Sequence, residues 1–285
     1  MIIEKILKPI WNEFVYGGHL LSFGAVSIVL TSAILLNIKI TWDCVTVVYL
    51  GTLAGCLYGR YREFNKDILT NLERSQHLKK YIKKIPLIIF LSISTFVGIL
   101  LYFNRIFVLF FSLLLILLIF SYDKFLKKFT KKIVGFKNFF TSLIFSLLVI
   151  LLAAYYSVSL NLALVLILIF VYFREFVGIS FSDIKDIDSD KKEGLRTLAI
   201  VFGQEKLIKI LSLINILAII PIIIGVYLNL FPQFSIMLLL TVPYTFYYFK
   251  KLEDKNINPA FLYNVLVDTE DILWLIYLAF GKVLL

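Results

Sequence analysis

The sequence predicts an all-α protein that crosses a membrane several times, and three observations lead to this fold class. Hydrophobic residues make up 60% of the 285-residue chain and charged residues only 17%, with a mean hydropathy of +0.92, well above soluble domains. Long apolar runs alternate with polar segments, and helices satisfy their own backbone hydrogen bonds in lipid over such runs. The basic residues, finally, are concentrated in alternate connections.

Nine apolar segments are predicted to be transmembrane helices, and the chain is predicted to form one domain, residues 1–285, around a central cavity. The segments are residues 17–37, 42–59, 86–103, 106–121, 138–155, 159–177, 207–228, 233–249 and 262–284. The first eight are clear, whereas the ninth carries Asp268, Glu270 and Asp271 in its first third. An amphipathic start, Met1 to Trp11, precedes the first segment and has no small-residue cleavage site of the kind that ends a signal peptide.

The positive charges predict the orientation of the chain in a cell membrane. If the N-terminus is cytoplasmic and nine spans alternate, 26 of the 29 Lys and Arg residues lie inside, leaving Lys39, Arg105 and Lys282 outside. This is the positive-inside pattern, so the net charge of +10 indicates a membrane rather than nucleic acid as partner. Two cysteines, Cys44 and Cys56, lie in an apolar segment and indicate neither a disulfide framework nor a metal site.

The polar connections predict where a functional site opens. All the long ones fall on the predicted cytoplasmic side, while the connections on the other side are very short. A functional site that opens on one side of the membrane argues against a transporter, which needs access from both sides. It favours an enzyme or binding protein that takes a soluble headgroup from the cytoplasm and an apolar tail from the bilayer.

One polar segment is rich in aspartate. Residues 182–190 read S-D-I-K-D-I-D-S-D, followed by Gly194 and R-T-L at 196–198. On a helix, Asp183, Asp186 and Asp190 stand at i, i+3 and i+7 and share one face. Like charges on one face repel, so a hard divalent ion such as Mg²⁺, shared with a phosphate, is one explanation. A solvated acidic loop between two membrane helices is the other.

A second polar face follows the second span, at residues 60–74. If the helix of that span continues, Arg60, Glu63, Asp67, Asn71 and Arg74 fall on one side of it. The carboxylates could then hold a metal and the arginines a phosphate, opposite the aspartate-rich segment. A solvated helix laced by i,i+3 charge pairs explains the same pattern.

Together the two segments resemble the UbiA superfamily of intramembrane aromatic prenyltransferases. The pattern D-x-x-D-x-x-x-D-x-x-x-G-x-x-T-L from Asp183 to Leu198 matches the family's second motif throughout, and the span count, order and sidedness also agree. The first motif departs from N-D-x-x-D-x-x-x-D, because Gly59, Arg60 and Glu63 stand where the family has Asn, Asp and Asp. Asp67 matches the last position.

The resemblance implies a Mg²⁺-dependent transfer of an isoprenyl group, through an allylic cation, from a polyprenyl diphosphate such as geranylgeranyl diphosphate to an aromatic or lipid acceptor. It implies catalytic and metal-binding carboxylates at Asp183, Asp186, Asp190, Glu63 and Asp67. The predicted diphosphate contacts are Arg60, Arg74, Lys137 and Arg196. Arg60, standing where the family has a carboxylate, is expected to bind the diphosphate directly and to do part of the work of a metal ion.

Two other functions are weighed against the same residues. A catalytically altered member of the same fold would bind lipid without transferring a prenyl group. A CDP-alcohol phosphotransferase also uses clustered aspartates at a membrane surface, but its D-G-x-x-A-R run does not occur in this sequence. The acceptor, the prenyl chain length and the oligomeric state cannot be read from the residues.

Overall fold

The computed structural model describes residues 2–254 and 256–284, and the described residues are helical with no strand among them. The α-helices are α1 Ile2–Tyr16, α2 His19–Leu35, α3 Trp42–Arg62, α4 Phe64–Thr70, α5 Leu72–Lys79, α6 Ile85–Tyr102, α7 Ile106–Ser121, α8 Lys127–Lys132, α9 Phe136–Tyr155, α10 Leu162–Ser182, α11 Ile187–Lys192, α12 Leu198–Leu217, α13 Ile220–Tyr227, α14 Thr241–Lys251, α15 Pro259–Phe261 and α16 Glu270–Leu284. Three 3₁₀ segments, Ile82–Lys84, Asp183–Asp186 and Gln233–Leu240, and two π-helical turns, Tyr122–Leu126 and Leu262–Val267, connect them.

Several of these helices can cross a membrane. Within the described residues, four helical stretches are long and apolar enough: Ile82–Tyr102, Phe136–Tyr155, Leu162–Lys192 and Leu198–Tyr227. Leu7–Tyr16 and His19–Leu35, bent by 59°, qualify together as a fifth, and Ile106–Ser121 is apolar but shorter. The all-α membrane fold is therefore confirmed in outline, while the number of nine crossings stays a prediction.

The core is built where the apolar helices pack on one another. Phe170 of α10 and Trp274 of α16 pack with tilted rings, their centroids 5.0 Å apart, in one buried cluster. A second cluster joins α2, α3, α6, α7 and α9, and includes Phe96 and Tyr155. Many other apolar side chains are exposed, Phe107 and Tyr102 among them, which suits helices whose outer faces meet lipid instead of water.

The polar connections collect at one end of the bundle. Side chains of residues 64–73 bond to the segment after α10 and to the segment before α16. The pairs are Lys66–Asp190 at 2.5 Å, Asn71–Asn264 at 2.8 Å and Glu73–Asn258 at 2.8 Å. Segments far apart in the sequence thus meet on one side, as the loop pattern predicts.

The aspartate-rich segment is not one regular α-helix. Asp183–Asp186 forms a 3₁₀ turn, and the chain resumes an α-helix at Ile187. The tighter turn changes the predicted face, so Asp183 and Asp190 are buried, Asp186 is half-buried and Asp188 is exposed. Gly194, at a φ of +70°, then ends α11 in the left-handed conformation that glycine adopts without strain.

The predicted continuation of the second span is also interrupted. The helix ends at Arg62 and resumes as α4, and a second break falls at Asn71, whose φ of −147° and ψ of 67° are not helical. The Asn71 side chain pairs instead with Asn264, which outweighs the gain from continuing the helix. Residues 60–74 are therefore three short pieces that wrap the end of the bundle.

Gly135 connects the start of α9 to the segment that follows the aspartates. Its N–H donates to the Arg196 carbonyl at 2.8 Å, and the Arg196 N–H donates to Thr130 at 2.9 Å. Gly135 has a φ of +70°, and a Cβ atom on it would lie 2.8 Å from Cδ2 of Leu198. Only glycine fits this junction, which fixes Lys137 beside the aspartate-rich segment.

Gly135→Ala is therefore expected to lower the free energy of unfolding by about 1–3 kcal/mol, through positive-φ strain and the Leu198 contact. Gly98→Ala is the matched control, because a Cβ there meets nothing within 4 Å. The control is expected to be neutral or slightly stabilising, since alanine favours a helix. Denaturant unfolding in detergent micelles measures both, and equal stabilities for the two variants would contradict the assignment.

Candidate active site

A cavity of about 460 Å³ lies inside the helix bundle and joins a charged end to an apolar limb. The charged end is formed where α3, α5, α9, α10 and α16 meet, and its wall includes Arg60, Glu63, Arg74, Lys137, Arg174, Glu175, Asp183, Lys185, Asp186, Asp268, Glu270 and Asp271. The limb follows α3 from Gly59 to Val47, about 18 Å of helix. Side chains of α7 and α9, together with Phe96, complete its wall.

Both carboxylate oxygens of Asp183 accept hydrogen bonds. Lys137 Nζ donates to its Oδ1 at 2.6 Å, and Asn138 Nδ2 donates to its Oδ2 at 2.9 Å. Asp183 and Asn138 are buried, and Lys137 lies on the cavity wall. Asp183 and Lys137, both predicted site residues, are therefore brought together at the end of α10 and the start of α9.

Asp186 and Asp190 differ in what they reach. Asp186 lines the cavity, and its Oδ1 is buried without a hydrogen-bond partner. Asp190 turns away from the cavity wall to Lys66, at 2.5 Å, and its Oδ2 is likewise buried and unpartnered. Buried carboxylate oxygens that lack donors are costly unless a cation meets them, and such oxygens are the ligands Mg²⁺ prefers.

The aspartates of residues 183–190 therefore fit a magnesium ion, with one restriction. Among the residues that the structure describes, no three His, Cys, Asp or Glu side chains converge closely enough to hold a metal unaided. Mg²⁺ usually binds through one or two carboxylates, with phosphate oxygens and water completing its shell. The donor set suits an ion that arrives with a diphosphate rather than one held permanently.

The face at residues 60–74 is divided between the cavity and an internal ion pair. Glu63 and Arg74 line the cavity, whereas Asp67 is buried behind the wall. Arg74 Nε donates to Asp67 Oδ2 at 2.8 Å, and Nη2 of the same guanidinium donates to Oδ1. Burial lowers the pKa of Arg74, but the Asp67 carboxylate outweighs that effect and raises it above the ordinary value.

Arg60 lines the cavity and also holds the N-terminal helix. Its Nη1 donates to the carbonyl of Tyr16 at 2.6 Å and to that of Val15 at 3.3 Å, at the end of α1. The side chain is only 6% exposed, because it both caps the C-terminal end of α1 and lines the cavity. Its predicted contact with a diphosphate stays a prediction.

Arg196 lies outside the cavity. Its side chain is exposed, and Nη1 donates to the carbonyl of Lys132 at 3.3 Å. Its backbone bonds to Thr130 and Gly135, and its guanidinium is absent from the cavity wall. A role of Arg196 as a diphosphate contact likewise stays a prediction.

Two lysines of the site were not singled out from the sequence. Lys66 reaches Asp190 across 124 positions of the chain, and no local pattern connects the two. Burial and nearby Lys137 lower the pKa of Lys66, but Glu63 and Asp190 more than offset them, so the pKa lies above its ordinary value. Lys185 belongs to the aspartate-rich segment and lines the cavity. Its position between two aspartates in the sequence could have identified it as a site residue.

A buried polar network closes the cavity beyond the aspartates. Arg174 Nε donates to Glu270 Oε1 at 2.9 Å, and its Nη2 donates to Thr245 Oγ1 at 2.6 Å. Arg174 also donates to Asn215, and the Tyr248 hydroxyl donates to Glu270 at 3.1 Å. The network links α10, α12, α14 and α16 around one ion pair that is almost fully buried.

Solved structures share the fold of this chain over nearly its whole length. A UbiA homologue from Archaeoglobus fulgidus bound to GPP and Mg²⁺ is 13% identical, with a TM-score of 0.65 over 95% of this chain and 98% of that one. An apo UbiA homologue from Aeropyrum pernix K1 is 14% identical, with a TM-score of 0.63 over 93% and 97%. A structure described for digeranylgeranylglyceryl phosphate synthase is 16% identical, with a TM-score of 0.59 over 98% and 100%.

The sequence itself carries the family assignment, because structural likeness at these identities shows the fold alone. No curated protein sequence matches the chain. The model of the UbiA prenyltransferase family, however, matches residues 20–266, which include most of the cavity wall, both polar faces and most of the bundle. The chain therefore belongs to the UbiA prenyltransferase family.

Proposed function

We propose that this protein is an integral-membrane prenyltransferase that moves an isoprenyl group from a polyprenyl diphosphate to an aromatic or lipid acceptor. One observation carries the proposal: a single cavity joins a charged end, with Asp183, Asp186 and Lys137, to an apolar limb. A polyprenyl diphosphate has the same division, with an anionic head and a long apolar tail. Homologues of the same fold bound to GPP or DMAPP with Mg²⁺ support this class of donor.

Three carboxylates, Asp183, Asp186 and Asp190, would hold magnesium in this chain on one side of the diphosphate. Glu63 would face the diphosphate from the other side, with Asp67 acting through Arg74. Mg²⁺, when bound, supplies positive charge that stabilises the departing diphosphate as its bond to carbon breaks.

The basic side chains of the wall would bind the diphosphate directly. Lys137 is attracted to Asp183, Asp190, Glu63 and Asp186 together, and stands at the centre of the charged end. Arg74 lines the same end and offers a planar guanidinium, a shape that suits phosphate oxygens. These cations would orient the head so that the reacting carbon lies at the junction with the apolar limb.

The apolar limb would hold the tail and exclude water. An allylic cation formed at the junction survives only if water is kept from it until the acceptor attacks. Phe140 and Phe145 of α9 lie on the wall, and aromatic faces stabilise a nearby cation. The acceptor would enter at the charged end or from the surrounding lipid.

The proposed setting is a cell membrane crossed nine times, with the N-terminus and the charged end of the cavity facing the cytoplasm. The concentration of Lys and Arg on one side of the predicted spans supports this orientation. The meeting of the polar connections at one end of the bundle supports it too. Soluble diphosphate substrate would then reach the site from the cytoplasm.

Transfer of a labelled prenyl group tests the proposal. Membranes containing the protein are incubated with labelled geranylgeranyl diphosphate, Mg²⁺ and native lipid extract, and the product is identified by mass. Label is expected in a new product with the natural sequence and not with Asp186→Ala. Tight binding of the labelled donor without any transfer would instead identify a lipid-binding member of the fold.

A further inference from the structure

Asp67 is not available to a ligand in the cavity. It is 2% exposed and is absent from the cavity wall. Both of its oxygens accept hydrogen bonds from Arg74, in the two-pronged geometry that guanidinium and carboxylate form most strongly. A metal ion at Asp67 would have to break this pair and leave Arg74 without its main partner. The carboxylate is already neutralised by a side chain of the same chain.

Arg74 reaches from its pair with Asp67 to the cavity, where the aspartate-rich segment forms the opposite wall. It is bonded to Asp67, and it lines the same cavity as Glu63 and Asp186, whose charges also attract it. Its side chain is 15% exposed and lies on the cavity wall. A cation therefore stands where the face at 60–74 meets the aspartate-rich segment.

The balance of charge differs between the two faces of the cavity. The face at 60–74 contributes Arg60, Glu63 and Arg74 to the wall, and Asp67 behind the wall neutralises Arg74, so this face carries no net negative charge. The segment 183–190 contributes Asp183, Lys185 and Asp186 to the wall, with Asp190 behind it, and is net negative. Two carboxylates and a diphosphate are enough for one magnesium ion, whereas the face at 60–74 offers a second ion one wall carboxylate, Glu63.

We propose that Arg74, locked to Asp67, takes the place of a metal ion on the face at 60–74, so that the chain binds its diphosphate with one divalent ion, held at 183–190. The inference rests on the proposed function, since it concerns the same diphosphate site. Asp67 is then a positioning residue for Arg74 and not a metal ligand. Glu63 faces the diphosphate from the face at 60–74, where its charge offsets that of Arg60.

Counting bound Mn²⁺ by electron paramagnetic resonance tests the inference without turnover. The purified full-length protein in detergent is titrated with Mn²⁺ in the presence of inorganic pyrophosphate. One Mn²⁺ per chain is expected for the natural sequence. Asp67→Asn is expected to leave that number unchanged, because asparagine keeps the shape of the side chain and can still accept a hydrogen bond from Arg74. Asp186→Asn is expected to weaken Mn²⁺ binding at least tenfold, and the control Asp188→Asn, on an exposed side chain, to have no effect.

Two results would overturn the inference. Two Mn²⁺ ions per chain, with the spin coupling of a close pair, would show that the face at 60–74 also binds metal. Loss of bound Mn²⁺ in Asp67→Asn would make Asp67 a ligand. The proposed function would fail in a different way. The protein would still bind Mn²⁺ and pyrophosphate but would transfer no prenyl group.

Discussion

Asp183→Asn is expected to lower kcat for prenyl transfer by about 10²- to 10³-fold, the usual effect of removing one preorganised electrostatic group. The carboxylate stands between Lys137 and Asn138, and it faces the cavity where the diphosphate head is proposed to bind. Asparagine keeps the size but removes the charge that would hold Mg²⁺ and orient Lys137. Steady-state rates at saturating donor, over a range of Mg²⁺ concentrations, measure the effect.

The matched control for this variant is Asp188→Asn. Asp188 belongs to the same run of aspartates, but its side chain is exposed and lies off the cavity wall. Its replacement is expected to change kcat less than twofold. Equal losses in the two variants would mean that the acidity of the segment as a whole matters, and would contradict a specific role for Asp183.

Glu270→Ala is expected to destabilise the protein by about 3–5 kcal/mol, the cost of leaving a buried charge without its partner. The Arg174 guanidinium, almost fully buried, would lose the carboxylate it bonds through Nε. Tyr248 would lose the acceptor for its hydroxyl in the same step. Unfolding by denaturant in detergent micelles measures the difference in free energy.

Two further variants identify the cause of that loss. Asp254→Asn breaks the pair with Lys251 at the surface, where water screens the charges, and is expected to leave the free energy of unfolding nearly unchanged. Arg174→Met combined with Glu270→Leu removes both charges together and is expected to recover part of the stability. A double variant no more stable than Glu270→Ala would assign the loss to packing and not to the unpaired charge.

Much of the fold could be predicted from the sequence because lipid limits the choices. Long apolar runs have to be helices, and the segments 106–121 and 138–155 correspond closely to α7 and α9. The breaks were not predicted. Asn71 leaves the helix to pair with Asn264, 193 positions away, and such a partner is invisible to a local pattern. The 3₁₀ turn at Asp183–Asp186 is equally hidden, because its residues do not forbid an α-helix.

The candidate site was predictable where motif and spacing agreed. Asp183, Asp186 and Lys137 meet at one end of one cavity, as expected from their positions at helix ends on the same predicted side of the membrane. The partners of Asp67 and Asp190 were not predicted, because charge type alone does not say whether a carboxylate meets a metal or an arginine. Arg174 and Glu270 lie 96 positions apart in the sequence, and they form their ion pair because α10 and α16 come together in the fold.

Magnesium-dependent release of pyrophosphate from geranylgeranyl diphosphate by the purified protein tests the central claim most directly. The claim is that the charged end of the cavity, around Asp183 and Asp186, ionises a prenyl diphosphate whose tail occupies the apolar limb. Release is expected with Mg²⁺, is expected to stop when the ion is chelated, and is expected to be absent in Asp186→Ala. Release at an equal rate in Asp186→Ala, or no release from the natural protein with Mg²⁺ and acceptor present, would contradict it.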